Sequence, residues 1–178
     1  MSNLVKIDPA WDKKKCWCNA IIETPKGRRS KFKYSEEHRL FELGGLLPEG
    51  LSFPFDFGFI PRTRGGDGDP LDVMVLMEEP AHVGCLLQVR ILGVLLAQQV
   101  EGKKRETNDR LVAAAIHSYA HEKLTNIDQV SKSVLDQVEE FFISYNKSRG
   151  KTYIPKGRHG PKRAAEIIEA GIAAFEQQ

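Results

Sequence analysis

The spacing of apolar residues in this 178-residue chain changes near residue 120, from the spacing of strands to that of helices. Up to residue 115, short runs rich in β-branched and aromatic residues end at glycine or proline turns, as strands do. In 127–145 and 164–175 the apolar residues recur every three or four positions, which is the helical period. Strands followed by helices indicate an α+β fold, and many short strands favour a closed or nearly closed sheet, because closure leaves few free edges. The predicted strands lie at 20–22, 31–34, 39–43, 73–77, 86–97 and 110–115.

The chain has the length of one domain, which we expect to span 1–178. Pro161 suits the first turn of the second helix, and Gly150 stands just after the end of the first. Thr125 and Asp128 resemble a capping box at the start of that first helix. A basic connection at 151–161 joins the two helices. The predicted bounds are 1–13 for a polar N-terminal arm, 14–115 for a mainly β region, and 126–149 and 161–177 for the helices.

Composition excludes several classes of protein. With 41% hydrophobic and 28% charged residues, the chain is neither disordered nor fibrous, and a formal net charge of +2 is too balanced for a nucleic-acid-binding or membrane-surface protein. The most apolar stretch, 83–97, is too short to span a bilayer, and the N-terminus lacks the apolar core of a secretory signal. Three cysteines, an odd count, argue against a disulfide framework. We therefore expect a cytoplasmic protein with no nucleic-acid or membrane partner.

The segment 65–73, GGDGDPLDV, places three carboxylates in a turn at the start of a predicted strand. These are Asp67, Asp69 and Asp72. Converging carboxylates repel one another, and a hard divalent cation removes that penalty. Oxygen ligands with no His or Cys nearby suit Mg²⁺, with Mn²⁺ as a substitute. A solvated turn is the other interpretation, because Asp and Gly are ordinary turn residues.

The part of this segment at 67–73, DGDPLDV, resembles the signature of the family I soluble inorganic pyrophosphatases. Five further segments recur in that family's order and spacing, so that the similarity covers about 20–145: IETP, KFKY, FPFDFGFI, RLVA and FFxxY. The resemblance implies a five-stranded OB-like β-barrel with additional strands and two C-terminal flanking helices. It also implies hydrolysis of inorganic pyrophosphate to two phosphates with several Mg²⁺ ions. For a chain this short it implies a homo-oligomer, with a hexamer favoured.

By the same resemblance, the acidic residues divide between metal binding and activation of water. Asp67 and Asp72 match metal ligands. Asp69, also counted among the metal ligands, matches the residue that orients or deprotonates the attacking water. Glu23 matches an acidic residue that holds a further metal through water. Asn108 stands where an aspartate is usual and would ligate a metal through its carbonyl oxygen.

The resemblance also assigns the residues that meet the substrate. Lys31, Arg110 and Tyr145 match residues that bind the phosphates and take part in catalysis. Arg110 stands where the family often has lysine, and a guanidinium can grip a phosphate through two parallel bonds. Lys147 is close to Tyr145 in the sequence and is expected to serve the same phosphate. Tyr145 also falls on the apolar stripe of its predicted helix, so a core position is the other interpretation.

Several positions depart from the family's pattern. Lys33 stands where many members have a glutamate, and Phe53 and Phe57 stand where many have tyrosines. The stretch 43–45, which ends in Gly45, lacks the arginine or lysine expected nearby. These changes motivate an alternative function, a degenerate pyrophosphatase paralogue that binds metal or phosphate with little turnover.

The second acidic pair of the family is also replaced. Its positions fall on Gln98 or Gln99 and on Asn108. If this segment is extended, Asn108 and Arg110 share a face and Asp109 points away, whereas a bulge would bring Asp109 inward. The sequence leaves both arrangements open.

A further alternative is an OB-fold module that binds nucleic acid. Phenylalanines occupy every second position of 53–59, so they are expected on one face of an extended segment, where they could stack bases. Such a face should be clearly basic. Here carboxylates lie beside it in the sequence, which favours a core wall instead.

Overall fold

Five strands of the computed structural model close into a barrel, and two C-terminal helices pack against it. The structure describes residues 3–177. Within that range no helix is long and apolar enough to cross a membrane. Two short 3-10 helices lie at Leu4–Lys6 and Ile127–Gln129. The strands and helices are β1 (Trp17–Thr24), β2 (Ser30–Ser35), β3 (Leu40–Leu46), β4 (Asp56–Ile60), β5 (Leu71–Leu76), β6 (Leu86–Glu101), β7 (Lys104–Thr107), β8 (Arg110–Ala115), β9 (Thr152–His159), α1 (Lys132–Ser148) and α2 (Pro161–Glu176).

The barrel strands follow the order β1-β4-β5-β8-β6, and β6 closes the barrel by pairing with β1. β5 and β8 run parallel, whereas the other neighbours in the barrel are antiparallel. This architecture confirms the predicted α+β fold, a five-stranded OB-like barrel with additional strands and two C-terminal helices.

Apolar clusters line both faces of the barrel wall. Val75 and Ala113 belong to an inner cluster that draws on all five barrel strands and on Ile168 of α2. Their neighbour Ala114 belongs to an outer cluster with Phe142 of α1. Because side chains alternate along a strand, α1 covers one face of β5 and β8 while the barrel interior buries the other. These strands are therefore buried almost throughout and show continuous apolar runs instead of a period of two.

β6 is 16 residues long and extends past the barrel, where it pairs with β7 and with β9. Most of the basic connection predicted at 151–161 is therefore a strand, β9, which the sequence did not predict. Five of the eight residues of β9 are exposed. Its backbone pairs with a free edge of β6, so the strand forms without an apolar pattern that the sequence would reveal.

β2 and β3 form a separate two-stranded sheet. β3 continues through two glycines to Leu46, although the sequence predicted an end at residue 43. Lys31 of β2 stands opposite Gly45 of β3, next to an irregularity in the register. Three leucines of β3 are exposed: Leu40, Leu43 and Leu46.

The N-terminal segment packs on the barrel. Residues 1 and 2 of the predicted arm lie outside the described residues, and Val5 of the first 3-10 helix is buried beside Tyr34 and Phe59. Phe53 and Phe57 instead belong to the outer cluster under α1. The phenylalanines of 53–59 thus form core walls, as predicted, but they divide between two clusters, because the N-terminal segment and β2 cover Phe59.

The first helix begins later than predicted. Asn126 and Gln129 form the capping box, in which the Gln129 side chain accepts from the backbone N–H of Asn126 at 2.9 Å. The predicted box at Thr125 and Asp128 is wrong by one residue. The observed box caps the 3-10 helix Ile127–Gln129, and α1 starts only at Lys132.

The end of α1 is a Schellman motif. The backbone N–H of Lys151 donates to the carbonyl of Asn146 at 3.0 Å, and that of Gly150 donates to the carbonyl of Lys147 at 3.1 Å. Gly150 has φ +73°, the left-handed conformation that glycine adopts without strain. As predicted, Gly150 stands just after the end of the helix, where it follows the C-cap residue Arg149 and precedes Lys151.

Candidate active site

One open cleft of about 200 Å³ gathers most of the residues that the sequence singled out. It lies where β1, β2, β8 and the C-terminal half of α1 meet the loop that precedes β5. The predicted residues that line it are Glu23, Lys31, Asp67, Asp69, Asp72, Asn108, Arg110 and Tyr145, and the other lining residues are Lys33, Phe57, Gln99, Asn146, Arg149 and Lys151.

The acidic loop is folded tightly by its own backbone. The N–H of Gly65 donates to the carbonyl of Asp69 at 2.7 Å, and the N–H of Asp69 donates to the Asp67 carboxylate at 3.1 Å. The Thr63 hydroxyl accepts from the N–H of Leu71 at 3.0 Å, which anchors the loop to the start of β5. The loop thereby presents Asp67 and Asp69 beside Asp72, the second residue of β5.

Burial shapes the electrostatics of these carboxylates. It raises the pKa of Asp72, an effect that Arg110 and Lys31 oppose and that the charges of Asp67 and Asp69 reinforce. Burial likewise raises the pKa of Asp67. A cation placed here would relieve the repulsion between these groups.

Glu23 lies on β1 and is only 8% exposed. Burial raises its pKa to about 7, and the negative charge of Asp72 acts in the same direction. A hydrogen bond from the backbone N–H of Tyr34, at 2.7 Å, opposes this rise. The folded protein therefore holds a proton on Glu23 far more readily than an exposed glutamate does.

Lys33 neutralises one member of the acidic group. Its Nζ lies 2.8 Å from Oδ2 of Asp69. In residues 3–177, no three Asp, Glu, His or Cys side chains are gathered closely enough to hold a metal ion as they stand. The oxygen-only donor set and the raised pKa values of Asp67 and Asp72 nonetheless fit a hard divalent cation, which would take the place of a proton or of the lysine.

Arg110, the first residue of β8, is buried at 4% exposure. Its guanidinium stacks 4.0 Å from the ring centre of Phe142 and donates to the carbonyl of Asn108 at 3.0 Å. Its Nε lies 3.9 Å from Asp72 and has no hydrogen-bond partner among the described residues. A buried donor without a partner is costly, which suits a site that receives an anion.

The arrangement around Asn108 resolves an alternative that the sequence left open. Asn108 lines the cleft and donates to the side-chain carbonyl of Gln99 at 2.8 Å. Asp109 points elsewhere and accepts from the backbone N–H of Ala97 at 3.0 Å. No bulge turns Asp109 into this cleft, and Gln99 and Asn108 line it instead.

Tyr145 belongs both to the apolar core and to the lining of the cleft. Its ring stacks on Phe141 in the outer cluster, and its hydroxyl reaches the cleft. That hydroxyl accepts from Nζ of Lys31 at 3.1 Å and from Nη1 of Arg149 at 3.0 Å. Since both lone pairs are used, the hydroxyl proton is left to donate to a ligand.

One predicted residue lies apart from the others. Lys147 is exposed and does not line the cleft. Two residues along a helix correspond to a rotation of about 200°, which turns Lys147 away from the side of Tyr145. The positive charge comes instead from Arg149, which was not predicted, and from Lys151, which the sequence placed only in a basic connection. The signal for them was Gly150, whose helix-ending turn brings both neighbours to the cleft.

Comparisons with known proteins agree with this geometry. Residues 20–176 match the family described as inorganic pyrophosphatase. An inorganic pyrophosphatase from Synechocystis sp. is 35% identical over 133 residues, 75% of this chain and 76% of that protein. Another from Nostoc sp. is 30% identical over 158 residues, which cover 89% and 91%. The crystal structure of inorganic pyrophosphatase from Thermus thermophilus superposes with a TM-score of 0.90 at 28% identity and covers 98% of this chain and 99% of its own. The chain therefore belongs to the inorganic pyrophosphatase family.

Proposed function

We propose that this protein hydrolyses inorganic pyrophosphate to two phosphates, with Mg²⁺ as its cofactor and Mn²⁺ as a substitute. The observation that carries the proposal is the cleft in which half-buried Asp72, flanked by Asp67 and Asp69, lies beside Arg110 and Lys31. Hydrolysis of such a highly charged anion requires charge neutralisation and an aligned water. The two halves of this cleft provide groups for both tasks.

Asp67 and Asp72, with Asp69 and the side-chain carbonyl of Asn108, would hold Mg²⁺, and Glu23 would hold a further ion through water. When bound, divalent cations neutralise charge on the phosphates and lower the pKa of the attacking water. The carboxylates fit this task because each is a hard oxygen ligand and all of them line the same cleft.

Side chains of the protein activate the attacking water and bind the phosphates. Asp69 orients the attacking water and accepts its proton. The water oxygen bonds to one phosphorus, and the bond from that phosphorus to the bridging oxygen breaks, so that the second phosphate leaves. Lys31 and Arg110 bind phosphate oxygens, and Tyr145 donates its free hydroxyl proton to one of them.

The test of this assignment is the turnover of Asp69→Asn, which keeps the size of the side chain and removes its capacity to accept a proton. We expect kcat to fall by about 100-fold or more. Asp128→Asn changes an exposed aspartate outside the cleft and should retain the activity of the wild type. Equal turnover of Asp69→Asn and Asp128→Asn would refute the role of Asp69.

We also propose that the protein acts in the cytoplasm as a homo-oligomer, with a hexamer favoured. Exposed apolar side chains on β3 and elsewhere, among them Leu43, Leu46 and Tyr119, support a surface that meets other subunits. Light scattering should give a mass six times that of the chain, and a monomer mass would refute the assembly.

A further inference from the structure

Arg149, at the end of α1, places its positively charged guanidinium in the cleft. Gly45 of β3 stands opposite Lys31, in the stretch that lacks the arginine or lysine expected from the family resemblance. A Cβ atom built on Gly45 would lie 3.8 Å from Nη1 of Arg149. The guanidinium of Arg149, from the end of α1, therefore occupies the space next to the bare backbone of Gly45.

We propose that Arg149 binds the substrate's phosphate and supplies from α1 the positive charge that β3 lacks at Gly45. This role rests on the proposed hydrolysis of pyrophosphate and assigns a further substrate-binding residue to it.

The contacts of Arg149 leave its charge available to an anion. Its Nη1 donates to the Tyr145 hydroxyl, which also accepts from Lys31, so two cations converge on one neutral oxygen. No carboxylate within residues 3–177 forms an ion pair with Arg149; the nearby Glu101 is paired with Lys151 at 2.8 Å. Among the described residues Lys31 likewise forms no ion pair with a carboxylate, so a polyanion bound between these two cations would relieve their mutual repulsion.

The chemistry of the side chain suits a phosphate. The contact with Tyr145 uses one of the five N–H donors of the guanidinium. The rest of the planar fork can meet two phosphate oxygens at once, and such charge-assisted pairs are stronger than neutral hydrogen bonds. Stacking 5.6 Å from the centre of the Tyr145 ring limits the freedom of the side chain before substrate arrives.

The backbone fixes where this side chain starts. Arg149 is the C-cap of α1, and the Schellman motif closed by Gly150 and Lys151 sets its direction. A lysine or arginine at a helix C-terminus also interacts favourably with the helix dipole. The position is therefore defined by secondary structure and does not depend on a mobile loop.

The experiment compares the wild type with Arg149→Ala, Arg149→Lys and Lys132→Ala. Lys132→Ala removes the same charge from the opposite, exposed end of the same helix. Two quantities are measured with Mg²⁺ present: the KM and kcat for pyrophosphate, and the Kd of methylenediphosphonate, a non-hydrolysable analogue, by calorimetry. Urea unfolding of each variant checks the fold.

We expect Arg149→Ala to raise both the KM and the analogue Kd by about 10- to 100-fold, with a smaller change in kcat. Arg149→Lys should recover part of the binding, because it keeps the charge and loses the fork. A KM and a Kd within twofold of those of Lys132→Ala would overturn the proposal.

The two readouts separate this proposal from the proposed hydrolysis. A wild type that binds the analogue and releases no phosphate, with binding weakened by Arg149→Ala, would contradict the hydrolysis and support the anion-binding role of Arg149. A wild type that hydrolyses pyrophosphate, with unchanged binding in Arg149→Ala, would contradict the role of Arg149 alone. A wild type that does neither would overturn both.

Discussion

At the scale of single residues, the ion pair between Lys33 and Asp69 sets a competition inside the cleft. The lysine ammonium sits 2.8 Å from the carboxylate that would otherwise face a divalent cation and the attacking water. A cation that approaches Asp69 must displace this ammonium or share the carboxylate with it. The pair is more than half exposed, so its contribution is modest, about 0.2–1 kcal/mol.

Removal of this lysine charge should therefore tighten metal binding. We expect Lys33→Gln to bind Mg²⁺ roughly two- to fivefold more tightly than the wild type, as measured by calorimetry without substrate. Lys162→Gln removes an exposed charge from α2 and serves as the control. Equal or weaker Mg²⁺ binding in Lys33→Gln than in Lys162→Gln would contradict the competition.

Glu23 makes the stability of the metal-free protein depend on pH. Burial raises its pKa to about 7 in the folded state, whereas the unfolded chain keeps the ordinary value of 4.5. Between these values the folded state binds more protons than the unfolded state, so the free energy of unfolding falls as the pH rises. Below pH 4.5 both states are protonated and the penalty disappears.

We expect the free energy of unfolding in EDTA to fall by on the order of 2 kcal/mol between pH 5 and pH 7, as measured by urea denaturation. Glu23→Gln, which cannot ionise, should show a shallower slope over the same range. Asp72 and Asp67 contribute in the same direction, because burial raises their pKa values too. A slope that is the same with and without Glu23 would contradict this account.

At the scale of elements, the C-terminal turn of α1 is both a structural stop and a support for the cleft. A Cβ atom on Gly150 would meet nothing within 4 Å, so the cost of adding one lies in the backbone, which has φ +73°. Gly150→Ala should therefore destabilise the protein by about 1 kcal/mol in urea denaturation. Ser144→Ala, at an exposed position of the same helix, should stay within about 0.5 kcal/mol of the wild type. A stability of Gly150→Ala equal to that of Ser144→Ala would show that the turn is not strained by alanine.

The sequence predicts some elements better than others. Elements stabilised by burial of their own apolar residues are predictable, whereas those stabilised by pairing with a distant strand are not. β5 and β8 are buried apolar segments and α2 has one buried apolar face, so the local sequence predicts all three. β9 is mostly exposed and forms because the long edge of β6 offers backbone partners. Because the hydrogen bonds of such a strand go to a segment far away in the sequence, no local residue pattern predicts it.

Some residues of the candidate site were likewise predictable from the local sequence, and others were not. The acidic loop was predictable, because its glycines, proline and aspartates are all local. Arg149 was not, since a basic residue at the end of a helix looks like any solvated charge until the fold brings Gly45 and Tyr145 to it. Lys147 was the wrong choice among neighbouring cations, because only the rotation of the helix decides which side chain meets the cleft.

At the scale of the whole molecule, the barrel brings together groups that lie far apart in the chain. Glu23 from β1, the acidic loop before β5, Arg110 from β8 and Tyr145 from α1 share one cleft. The buried walls of β5 and β8 hold the loop and Arg110 at neighbouring positions, because these strands pair directly. The central claim is that this assembly hydrolyses pyrophosphate with a divalent cation despite the neutral residues Gln99 and Asn108.

The most direct test is phosphate release from pyrophosphate by the purified protein, with Mg²⁺ and then with EDTA. ATP and a para-nitrophenyl phosphate ester serve as control substrates. We expect rapid release from pyrophosphate with Mg²⁺, none with EDTA, and little from the two controls. No release from pyrophosphate with either Mg²⁺ or Mn²⁺ would contradict the account.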